Sequence, residues 1–148
     1  FVDRHRLKSA VEAVYGDLQL ARSEALKRNT EIRVSFVAAA GGNPWCYGLK
    51  DEATTCDCTE TNAGAADYCE IGGAPQIVSG ADYPNADLSN PNFSGNTFTT
   101  FDPRRGTASA GSVTFASEDG TYSAEINVGG LGRVRICSDS DGMGYPGC

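Results

Sequence analysis

Apolar side chains recur at Leu7, Val11, Val14, Leu18, Ala21 and Ala25, a spacing of four and three residues in turn that gathers them on one side of an α-helix. Lys8, Glu12, Asp17, Gln19, Glu24 and Lys27 fill the other side. The pattern predicts one amphipathic helix over Arg4–Asn29, roughly 40 Å long at about 1.5 Å per residue. Its end is marked by Lys27-Arg28, suited to the negative pole of the helix dipole, and by Asn29-Thr30. From Glu31 the period drops to two. Glu31–Val37 alternates and reads as a strand, Gly41-Gly42-Asn43-Pro44 as a turn, and Trp45–Leu49 as the returning arm of a hairpin. Further strands are expected at Gln76–Val78, Thr97–Phe101, Ser112–Ala116, Tyr122–Val128 and Arg133–Cys137, with the Asp-Gly turn of Glu118–Thr121 joining two of them. Lys50–Gly73 is polar and aperiodic but holds three cysteines, so it reads as a long tethered loop; Ser79–Gly95 also reads as loop. The expected fold class is α+β: a long N-terminal α-helix packed on antiparallel β-sheet, with the second half of the apolar stripe covering one sheet face.

The length of 148 residues suits a single domain. It divides into a helical spine over 1–30 and a β head over 31–148. A formal charge of −7 argues against a general nucleic-acid binder but leaves room for a local basic patch. Six cysteines, an even number, point to disulfides and an oxidising compartment. The chain opens on Phe1 in mid-helix with no initiator Met, signal peptide or transmembrane stretch. That predicts a processed or truncated form, with Phe1 and Val2 the last residues of an apolar segment.

His5 is the single histidine, and no plausible loop offers a base to a serine or cysteine nucleophile. No GxSxG, HExxH or P-loop pattern occurs, so no enzymatic role and no cofactor are expected. Cys46, Cys56, Cys58 and Cys69 lack the CxxC spacing of a zinc knuckle, which favours disulfides over metal. Cys56 and Cys58 each pair outward, to Cys46 and Cys69, in an order the sequence leaves open. Cys137 and Cys148 then close the C-terminal tail onto the last strand, a ring worth about 3 kcal/mol. Asp139-Ser140-Asp141-Gly142 opens like a calcium loop, but Met143, Gly144, Tyr145 and Pro146 follow where ligands are needed, so an ordinary acidic turn is expected. Trp45 and Tyr47 share a strand face and read as a buried aromatic pair holding the hairpin to the helix. On the last strand Val134 and Ile136 point one way. Arg133 and Arg135 point the other, roughly 7 Å apart at about 3.3 Å per residue. Two guanidinium forks at that separation suit neighbouring phosphates; pairing with Asp139 or Glu125 is the alternative.

Taken in order, Leu18-Gln19-Leu20-Ala21-Arg22-Ser23-Glu24-Ala25, Trp45-Cys46-Tyr47-Gly48-Leu49, Cys56-Asp57-Cys58, Phe101–Thr107 and Gly132-Arg133-Val134-Arg135-Ile136-Cys137 resemble the soluble part of type IV pilin-like proteins of the GspH/FimT class. The resemblance spans nearly the whole chain. It implies a preceding apolar helix of about twenty residues that roots the protein in the inner membrane, a periplasmic domain, and incorporation with other pilin or pseudopilin subunits through the N-terminal helix into a pilus or pseudopilus. By the same resemblance, to FimT-type minor pilins carrying a GRxR motif, Arg133 and Arg135 would contact double-stranded DNA during natural transformation, helped by Arg104 and Arg105. The alternative it implies is a minor pseudopilin of type II secretion, touching cargo or tip subunits and binding no DNA.

Overall fold

The computed structural model describes residues 2–140 and 142–148. Phe1 and Asp141 lie outside the described residues, and with them the reading of Phe1 as the end of an apolar segment and of Asp141 within the acidic turn. Helix α1 spans Val2–Arg28. Ten strands follow among the described residues: β1 (Ile32–Val37), β2 (Cys46–Lys50), β3 (Glu70–Ile71), β4 (Ala74–Pro75), β5 (Ile77–Ser79), β6 (Ala86–Phe93), β7 (Phe98–Phe101), β8 (Gly111–Ser117), β9 (Ser123–Val128) and β10 (Val134–Cys137). They form two four-stranded antiparallel sheets, in the orders β5-β2-β1-β7 and β10-β9-β8-β6, and one small β3-β4 ribbon. The helix touches both large sheets. The inward residues of every layer, from Val34 and Phe36 to Phe115, Ile126 and Val128, meet its apolar stripe in one core.

The whole stripe is consumed in that core. Leu7, Val11, Val14, Leu18, Ala21 and Ala25 are all at most 1% exposed, so the front half is covered as fully as the second half. Cover therefore extends beyond the second half of the stripe, the only part the sequence pattern assigns to the sheet. The cause is the C-terminal tail. Met143 is buried in the core, Arg4 Nη1 donates to the Gly142 carbonyl at 3.3 Å, and the Tyr145 hydroxyl donates to Glu12 Oε1 at 3.3 Å. The Cys137–Cys148 disulfide and the Ser138 N–H to Pro146 O bond, 2.8 Å, fold this tail back along β10.

Ser79–Gly95, expected to be loop, contains the longest strand, β6, behind a short 3-10 turn at Gly80–Asp82. Its alternation is broken by Asn90, held at φ 50°, and by Pro91 within a β-bulge between Ser89 and Asn92. A proline removes a ladder donor, and β6 tolerates one because it is an edge strand. The long Lys50–Gly73 segment is stitched to β2 by Cys46–Cys58 and internally by Cys56–Cys69. Gly48 sits mid-strand because any Cβ there would collide with Cys69 Sγ. Tyr47 does join the hairpin to the helix, donating its hydroxyl to Asp17 Oδ2 at 2.5 Å. Trp45 instead faces the second sheet, edge-on to Phe115 at 5.4 Å and donating Nε1–H to the Ala86 carbonyl.

Candidate nucleic-acid interface

Strand β10 is an edge strand whose alternation sorts its side chains by chemistry. Val134 is buried and Ile136 half-buried on the core side, while Arg133, just before the strand, and Arg135 are exposed. Arg135 stands opposite Asn127 of β9, and Cys137 stands opposite Glu125. The turn that delivers β10 is rigid. Gly129 N–H donates to Arg133 O at 2.8 Å, and Gly132 N–H to Gly129 O at 2.9 Å. Gly132 adopts φ +82°, and a Cβ there would strike the Gly106 carbonyl, so only glycine allows the two loops to touch.

That contact brings in the second arginine pair. Arg104 and Arg105 occupy the turn after β7, where Asp102 Oδ1 accepts their backbone N–H groups at 2.8 and 3.3 Å and leaves both side chains exposed. Ala108 N–H reaches across to Gly130 O at 3.1 Å, fastening this loop to the β9–β10 turn. Helix α1 adds a fifth cation: Arg22 Nε lies 3.4 Å from where a Gly132 Cβ would stand. The sequence reading missed Arg22, which is separated from Gly132 by most of the chain and brought close only by the helix crossing the second sheet. Arg22, Arg133 and Arg135 line one open recess of about 1360 Å³, together with Tyr15, Gln19, Leu131 and one carboxylate, Glu125.

Elsewhere in the molecule Arg4, Arg28 and Arg33 have structural partners, while Arg6 stands exposed at the front of the helix. Arg28 pairs with Glu24 at 2.6 Å. Arg33 lies 3.8 Å over the Phe98 ring and donates to Thr100 and Thr55, and partial burial lowers its pKa. By contrast, among the described residues no ion pair, side-chain hydrogen bond or ring contact engages the guanidinium of Arg104, Arg105, Arg133 or Arg135. The expected competitors, Glu125 and Asp139, pair with neither Arg133 nor Arg135; Asp139 accepts the Cys148 N–H instead. Five of the twelve basic residues thus gather at one end of a protein with nineteen acidic ones. The lone histidine, His5, is exposed on the helix. Glu125, Cys137 and Cys148 bring potential ligand atoms close together, but both sulfurs are spent in a disulfide.

The family model described as type II transport protein GspH matches residues 10–132. The chain belongs to this family. This GspH-family chain is a pilus-associated, periplasmic minor pilin or pseudopilin. The match stops at Gly132, one residue short of the Arg133–Arg135 pair. No curated protein matches the sequence. Among solved structures, the type IV minor pilin FimU of Pseudomonas aeruginosa superposes with a TM-score of 0.57 at 17% identity, covering 88% of this chain and 91% of FimU. A second crystal form of FimU gives 0.57 at 20% identity, covering 92% and 91%. The minor pseudopilin EpsH from the type 2 secretion system of Vibrio cholerae gives 0.61 at 9% identity, covering 90% and 97%. At these identities the likeness concerns the fold: a long helix under two antiparallel sheets. No helix among the described residues is long and apolar enough to cross a membrane.

Proposed function

We propose that this GspH-family chain is a FimT-like minor pilin of a type IV pilus that binds double-stranded DNA through Arg133 and Arg135, with Arg104 and Arg105 alongside. The observation that carries the reading is the set of unengaged guanidinium groups gathered at one end of an otherwise acidic head. Exposed guanidinium groups donate bidentate hydrogen bonds to phosphates and stay charged at any physiological pH. The acidic remainder repels DNA and confines contact to this end. Assembly with other pilin subunits runs along α1, whose outward side exposes Ser9, Gly16, Leu20 and Ser23; a preceding apolar segment anchors the protein in the inner membrane before assembly. In a mobility-shift assay the domain retards duplex DNA at low salt and releases it at higher salt, while Arg133→Gln and Arg135→Gln weaken the complex with an unchanged circular dichroism spectrum. Full retention of binding by the double variant removes the arginine pair from the account.

A second reading, a minor pseudopilin of type II secretion, is favoured by the family description and by the EpsH-like fold. There the arginine end would meet acidic surfaces of cargo or tip subunits. Absence of duplex binding, with capture of neighbouring pseudopilins by the same surface, selects it.

A further inference from the structure

Leu131 lies on the turn just before Arg133 and is 81% exposed, against 36% for Leu20, 54% for Leu26 and 42% for Val37, the other large apolar side chains left in solvent among the described residues. Its neighbours in the chain, Gly130 and Gly132, have no side chains to shield it. The turn that carries it is nevertheless fixed, by the two bonds within Gly129–Arg133 and by the bond from Ala108 to Gly130. An exposed leucine forgoes burial worth about ten- to a hundredfold in an equilibrium constant. Held on a rigid turn, it has little freedom left to lose when something covers it. Leu131 lines the same recess as Arg22, Arg133 and Arg135.

We infer that Leu131 is the base-contacting wedge of this interface, entering a base step of duplex DNA while the surrounding arginines hold the phosphates. This rests on the DNA-binding reading above and adds to it what part of the DNA is touched. A duplex presents what the site offers, an apolar stack flanked by rows of phosphates, and apolar wedges that enter such a stack partly unstack it. An anionic lipid surface is disfavoured because interfacial binding scales with buried apolar area, and among the described residues Leu131 is the one large apolar side chain that the recess shares with the arginines and that stands mostly in solvent. A wedge prefers steps that open easily, so pyrimidine–purine steps bind best.

The test uses a duplex carrying 2-aminopurine at a central TA step, titrated with the 148-residue domain at two salt concentrations. The expected result is a rise in fluorescence on saturation by the parent protein. Leu131→Ser binds about tenfold more weakly, with the same salt dependence and no rise; Leu131→Met keeps both. Equal affinity and equal fluorescence for Leu131→Ser overturn the wedge and leave the arginine contacts standing. No duplex binding by the parent protein at low salt overturns both readings. Binding to phosphatidylserine vesicles but not to duplex, lost in Leu131→Ser, overturns both in favour of a lipid surface.

Discussion

The most consequential single contact outside the arginine end is the hydroxyl of Tyr47 on the carboxylate of Asp17, 2.5 Å, because it joins the first hairpin to the helix across a buried boundary. Burial raises the Asp17 pKa above 3.8, and the Tyr47 hydrogen bond opposes that rise only partly. The Tyr47 hydroxyl is itself held well above its usual range by burial and by the neighbouring carboxylate. The folded state keeps the Asp17 proton where the unfolded chain has released it, so the stabilising contribution is full below pH 3.8 and declines as pH rises through the elevated value. Asp57 and Asp119, held low by local hydrogen bonds, act in the opposite direction but from solvent. Urea unfolding of the parent protein and Asp17→Asn at pH 4 and pH 7 should show the parent losing ground to the variant on going to pH 7; a difference that stays constant or reverses contradicts the assignment. Tyr47→Phe removes the donor from a half-buried carboxylate and should cost about 1–3 kcal/mol at neutral pH.

At the scale of elements, the helix carries one residue that its own domain does not explain. Gly16 lies mid-helix, exposed, and a Cβ added there meets nothing within 4 Å. Glycine inside a helix costs about 1 kcal/mol relative to alanine. Gly16→Ala should therefore stabilise the isolated domain by about that amount and raise its melting temperature by roughly 3 °C. In the assembled filament, where the proposal brings neighbouring subunits against this side, the same change should reduce incorporation. A lowered melting temperature would mean that Gly16 serves the monomer after all. The C-terminal clip is the second element with a measurable weight. Replacing Cys137 and Cys148 by serine opens a ring of sequence separation 11 and should cost about 3 kcal/mol in denaturant unfolding. It should also free the Met143–Tyr145 segment from the front of α1, seen as new protease cleavage after Lys8 or Arg6. Unchanged cleavage would mean that the core contacts of Met143 hold the tail without the bridge.

Across the whole molecule, the legible parts of the sequence are those where one residue's neighbours are also its neighbours in the chain. The helical stripe, the alternation of Ile32–Val37 and the hairpin turn at Asp119-Gly120 are local patterns, and they match the elements observed. Strand β6 was illegible because Asn90 and Pro91 break the alternation at a bulge, and edge position, which excuses them, is a property of the sheet. The burial of the front half of the stripe was hidden because its cover, Met143 and the disulfide-closed tail, lies at the opposite end of the chain. The same holds at the candidate site. The alternation of Arg133 and Arg135 could be read from the strand, whereas Arg22 joins them only through the packing of α1 beside Gly132, and Leu131 is conspicuous only once its exposure is known.

Salt dependence tests most directly whether this acidic, family-typical pilin head carries a true polyanion site. Each phosphate neutralised on duplex DNA contributes about 0.9 to the slope of log affinity against log salt. The parent domain should show a steep negative slope, and the Arg133→Gln/Arg135→Gln variant a slope shallower by about 2. An identical slope in the two proteins, or no measurable duplex affinity at low salt, contradicts the account.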